Sequence, residues 1–229
     1  MQILNKKAKT PFRFFECIAL FMPTGKKAAN LREFVELVKV VSPQVIFHHL
    51  HQFFLKGVYQ PWDYPNDFAH WAAFGLEDLV LAEKLSNLDP YNFSDIEKLR
   101  EAVVDIIEEH MWESPIIPWS RPGQEFFFNE SYTIVVPTGI EAETLSEFKE
   151  GLNQVNIGSV YYHFFESRLR LQKDVDDFSF WIEDNFKCPQ LVKDIRNIDF
   201  YLYSLWELRD KIIKLLQKDI SGKREQEIG

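Results

Sequence analysis

The sequence predicts a mainly α protein of the α+β class. Two strand–helix–helix–helix–helix units are expected to close about a pseudo-twofold axis into a single domain with a small central β element. Three observations carry this. Residues 12–22 (FRFFECIALFM) and 126–136 (FFFNESYTIVV) are short, aromatic runs, and each leads into Pro-Thr-Gly, the pattern of a strand ending in a turn. Asn30/Glu33, Ser94/Glu97, Thr144/Glu147 and Ser204/Glu207 carry the spacing of capping boxes, in which a side-chain oxygen and a carboxylate satisfy the free amides of a helix start. These signals recur in one order in both halves, the sign of a tandem duplication.

Taken in order, the first unit spans 11–110. After its strand, Leu31, Phe34, Val35, Val38 and Val41 give helical spacing. Ser42-Pro43 opens a second helix through VIFHHLHQFFL, residues 45–55. A loop over 57–65 contains Trp62, and a long helical stretch runs from Asn66 to about Leu88 before Asp89-Pro90 breaks it. A last helix ends near His110. Residues 111–125, with three prolines and two tryptophans, form an ordered crossover. The second unit spans 126–220, pairs His163 with His48, and is shorter in the loop after that helix. The polar residues 221–229 are expected to form a disordered tail.

The chain of 229 residues carries a net charge of −9, which argues against nucleic-acid and anionic-membrane surfaces. Two cysteines, Cys17 and Cys188, do not make a disulfide framework, so a cytoplasmic setting is expected. The N-terminus lacks a signal-peptide core, and no apolar run reaches the length of a membrane span. A pseudo-symmetric chain is closed by itself, so a monomer is expected.

Among chemistry-bearing residues, Glu16 and Glu130 sit at matching places inside apolar strands, and with His48 and His163 they are the catalytic candidates for a small hydrolase. The bland alternative is two histidines that hydrogen-bond a neighbour and two solvent-facing glutamates. If the axis brought the two helices together, His48, His51, His163 and Glu166 would offer three imidazoles and a carboxylate to a metal. Trp71, Trp181 and the Asp67-Phe68 and Asp177-Phe178 pairs read as core and helix starts. Trp119 and Arg121 in the crossover read as a ligand- or partner-binding surface. Thr24-Gly25-Lys26-Lys27 lacks the phosphate-loop spacing and reads as a turn. No complete triad, HExxH, dinucleotide loop or CxxC pair is present, and no cofactor is expected.

The segments TGKKAANLREF, VIFHHLHQF, YPNDFAHWAAFGL, PWSRPGQEFFF and SVYYHFFESRLR resemble those of an uncharacterised family of bacterial and archaeal proteins, known as a domain of unknown function. Some members resemble partners of trehalose-synthase or glycosyltransferase-type enzymes, by fusion or adjacency. The resemblance implies a role beside carbohydrate metabolism and favours His48 and His163 over His49 and His51. The expected function is therefore a non-enzymatic helical module binding a protein or a small molecule. The other reading is a hydrolase or metal-binding protein.

Overall fold

The computed structural model describes residues 6–56, 64–114, 116–168 and 175–228, with side chains to residue 222. Most of the loop read over 57–65, with Trp62, and the shortened loop of the second half lie outside the described residues. In chain order the elements are β1 (Phe12–Ala28), α1 (Leu31–Val40), α2 (Pro43–Leu50), α3 (Phe53–Lys56), α4 (Asp67–Phe74), α5 (Leu79–Ser86) and α6 (Ile96–Glu113). Then follow β2 (Phe126–Ala142), α7 (Leu145–Gln154), α8 (Ile157–Tyr161), which runs on as a π-turn over Tyr162–Glu166, α9 (Asp177–Asn185), α10 (Pro189–Arg196) and α11 (Leu205–Ile228). No described helix is long and apolar enough to cross a membrane. The two strands pair as one antiparallel two-stranded sheet.

The chain divides into two compact units, and these do not coincide with the two sequence halves. Unit 1 holds described residues 6–18 and 134–228. Unit 2 holds 19–56 and 64–133. Each strand thus crosses from one unit to the other, and each unit owns half a ribbon. In unit 1 the Thr138 hydroxyl donates to the Phe14 carbonyl at 2.8 Å. In unit 2 the Thr24 hydroxyl donates to the Phe128 carbonyl at 2.6 Å.

Each core is built on strand phenylalanines buried beneath helices. In unit 2, Phe34 stacks on Trp71 at 4.8 Å between centroids and meets Phe126 edge-on at 4.9 Å. In unit 1, Phe148 stacks on Trp181 at 5.1 Å and meets Phe12 edge-on at 5.0 Å. Burying each such ring contributes on the order of 2–3 kcal/mol. Both tryptophans also place their indole N–H on a backbone carbonyl, Trp71 on Gln124 and Trp181 on Thr10, each at 2.8 Å.

Four sequence expectations are corrected. Pro23-Thr24-Gly25 and Pro137-Thr138-Gly139 do not end the strands; they lie inside the 17-residue β1 and β2. Gly25 and Gly139 adopt φ of +75° and +76°, a left-handed conformation that glycine allows within a continuing strand. The stretch from Asn66 to Leu88 is two helices, because Glu77 at φ +59° breaks it and Asp78 caps the next helix. Helix α6 continues past His110 to Glu113. Residues 221–228, assigned to a disordered tail, continue α11: they hold no proline, and Lys, Arg, Glu and Gln outweigh one glycine in helix preference.

Candidate functional site

Within each unit, a histidine and a glutamate singled out by sequence lie near the strand and one helix, α2 in unit 2 and α8 in unit 1. In unit 2, Asp67 stands in the first turn of α4, whose N-cap is Asn66. The His49 Nδ1–H donates to Asp67 Oδ2 at 2.5 Å, and the backbone N–H of Asn129 donates to His49 Nε2 at 3.0 Å. Those two bonds fix the tautomer: the proton sits on Nδ1 and the Nε2 lone pair is occupied. Lys56 also contacts the Asp67 carboxylate. In unit 1, His163 bonds Asp177 Oδ2 through Nδ1 at 2.8 Å and accepts from the Phe15 N–H through Nε2 at 2.9 Å.

The partner of His163 in this geometry is therefore His49, not His48. Both accept from a strand amide, and both are held by an aspartate at the first position of a later helix. Asp67 and Asp177 were read as caps; Asn66 and Asp176 cap instead, accepting from the N–H of Ala69 and Ser179. The signal was present: Phe12/Phe126, Gly25/Gly139, Phe34/Phe148 and His49/His163 share one ungapped spacing.

The two glutamates serve helix starts. Ser42 donates from its hydroxyl to Glu130 Oε2 at 2.9 Å, and Asn156 donates from its amide to Glu16 Oε1 at 3.0 Å. Ser42 and Asn156 are the N-cap residues of α2 and α8, so each carboxylate rests near the positive end of a helix.

His48 is buried beside this clamp. Its Nδ1 faces Gln52 Oε1 at 3.4 Å, and the Phe21 ring lies 5.1 Å away. Gln52 donates to Thr133 at 2.9 Å and accepts from Ser131. Burial, then the Lys56 charge, then His49 push the His48 imidazole down to about 4. His51, buried against Phe47 and Tyr91, is likewise pushed down to about 4 by burial. Burial also lowers His49. For Asp67, burial raises the carboxyl, but the His49 hydrogen bond and Lys56 outweigh it and hold it to about 2. In unit 1, burial, then Glu166 and Glu16, push the Cys17 thiol up to about 12.

Among the described residues, ligating atoms of His48, His49 and Asp67 lie within 4.8 Å of one another. In this structure two of them are engaged with each other. Donors on one tetrahedral zinc sit about 3.3 Å apart, whereas His49 and Asp67 approach to 2.5 Å as a hydrogen-bonded pair. Both nitrogens of His49 are engaged, and the Lys56 ammonium already balances Asp67. Of the ligands proposed from the sequence, His48 and His51 belong to unit 2, and His163 and Glu166 to unit 1.

The backbone of the crossover over residues 118–121 is tied to other parts of unit 2. Trp119 bridges Asn30 as an isolated antiparallel pair. Leu31 N–H donates to Pro118 O at 3.1 Å, Ser120 N–H to Ala29 O at 2.8 Å and Arg121 N–H to Gly75 O at 3.0 Å. The Trp119 ring is nevertheless 67% exposed, and Ile116 74%. Arg121 pairs with Glu77, both largely exposed.

Residues 9–217 match the profile described as "Family of unknown function (DUF5752)". The structure titled "The structure of OrfY from Thermoproteus tenax" is similar at 30% identity and a TM-score of 0.73, covering 94% of this chain and 98% of that one. No curated protein matches.

Proposed function

The chain belongs to the DUF5752 family of unknown function, and from that premise we propose that it is a non-enzymatic module that presents its crossover to a protein partner. The observation that carries this reading is Trp119: its backbone is pinned on both sides, yet its ring stands 67% exposed. An aromatic anchor held in place before binding loses little further entropy on association. Arg121 stands beside it with a guanidinium that can exchange Glu77 for a partner carboxylate. The hydrolase reading draws no comparable support, because Glu16, Glu130 and His163 are committed to helix starts and a strand amide.

We also take the chain to be an internal duplication, on the strength of the paired clamps, caps and indole bonds, and to act as a cytoplasmic monomer. Its place beside carbohydrate metabolism rests on the family resemblance alone.

Capture of partners on the immobilised chain tests the proposal. Trp119→Ala and Arg121→Ala should unfold within a few degrees of the parent and lose the captured protein. A partner retained equally by both variants sinks the crossover surface.

A further inference from the structure

Unit 1 carries an open groove of about 580 Å³ between α9 and α10, within the size range of small-molecule sites. Its floor is apolar, with Phe186, Cys188 and Val192 each only 5% exposed. Its wall is cationic. Among the described residues Glu183 is the one acid lining it, and Arg196 already binds that carboxylate at 2.6 and 3.2 Å while reaching the Ser179 hydroxyl at 3.2 Å. That leaves Lys187 and Lys193, whose ammonium groups have no hydrogen-bond or ion-pair partner among the described residues. A third ammonium, Lys6, lies 5.6 Å from the centre of the Phe186 ring and donates to the Asn185 carbonyl. Two uncompensated cations over an apolar floor stand out in a chain of net charge −9.

We propose that this groove binds a phosphomonoester with a compact apolar or ring-shaped body. A phosphomonoester carries a charge of about −1.5 to −2 at neutral pH, which two ammonium groups balance. Its ester group lies over Phe186 and Val192, the apolar part of the lining. A carboxylate would leave one lysine uncompensated, and a free inorganic phosphate would leave the apolar floor wet.

Calorimetric titration of the full chain with phenyl phosphate at low salt tests this, with inorganic phosphate and benzoate as comparisons. Phenyl phosphate is expected to bind at one saturable site, more tightly than either. The double variant Lys187→Gln/Lys193→Gln should weaken it about tenfold or more, through loss of charge-assisted hydrogen bonds. Its unfolding midpoint should not move, because both side chains are exposed. Trp119→Ala, in unit 2, should bind phenyl phosphate like the parent, so this site and the crossover surface stand or fall separately. The absence of saturable binding at millimolar phenyl phosphate overturns the proposal, as does equal binding by the double variant. Equal affinity for inorganic phosphate overturns the part that calls for an organic body.

Discussion

Mild acid should destabilise unit 2 through its buried histidines, most measurably His48 and His51. An unfolded histidine titrates near 6.5, whereas His48 and His51 are held down to about 4 in the folded chain. A base with a lowered folded pKa stabilises the fold fully above its unfolded value, and that stability is lost as pH falls toward the folded value. At pH 5 the unfolded chain holds close to one more proton at each position. The resulting loss is about 2 kcal/mol for each histidine relative to neutral pH, or about 4 kcal/mol together. That is a large part of the stability of an ordinary domain, which is roughly 5–15 kcal/mol. Asp67, held to about 2, acts in a separate window: its contribution is present above pH 4 and lost below it. The assay is urea unfolding at steps from pH 7.5 to 4.5. The variants are His48→Tyr and His51→Phe, chosen because Tyr162 and Phe165 stand in the same steps around His163 as His48 and His51 do around His49. Each variant should remove about 2 kcal/mol of the loss between pH 7 and 5, and the buried His49, also lowered, contributes to what remains. A parent protein with no slope between pH 7 and 5, or two variants that both keep the full slope, would refute the reasoning.

Other consequences can be measured in the same way. Replacing His163 with Phe strands the Phe15 amide and removes one hydrogen bond from the Asp177 carboxylate, and should cost about 1–3 kcal/mol in denaturant unfolding. At Gly158 an added Cβ would meet the Cys17 carbonyl at 2.5 Å, and at Gly151 the Phe14 ring edge at 2.5 Å. Gly158→Ala should therefore destabilise by about 1–3 kcal/mol, more than Gly151→Ala, because a ring tilts where a strand backbone cannot. With its thiol pushed up to about 12, Cys17 should resist a thiol-reactive dye at pH 8 in a Cys188→Ser background and react fully in denaturant.

Some helix starts were legible in the sequence, although Asp95 and not Ser94 caps α6. Thr144 and Glu147 form the reciprocal capping box that their spacing announces, and Asn30 accepts from the Glu33 amide as expected. Trp71 and Trp181 are buried, as their apolar surroundings suggested. Other features were hidden for physical reasons. A glycine after Pro-Thr reads as a turn because its left-handed freedom is the same in a turn and in a strand bulge. Two adjacent histidines on a buried helix cannot be told apart by apolar periodicity; only the strand amide that one of them meets selects His49. The partner aspartates were taken for caps because an acid at the first helical position looks like one at the cap. Lys187 and Lys193, which meet no partner among the described residues, carry no motif, since their significance depends on Arg196 having already claimed Glu183.

The exchange of half-ribbons also sets an order of events during synthesis. Phe12 and Phe14 leave the ribosome early, but the rings that cover them, Phe148, Phe178 and Trp181, are made more than a hundred residues later. At typical elongation rates the first strand waits on the order of ten seconds with its apolar face uncovered. Unit 2 meets no such delay, because its borrowed strand is the last part of it to be made. Nascent chains should therefore acquire a protease-resistant unit 2 first, while the opening strand is still an apolar tether in search of its partner.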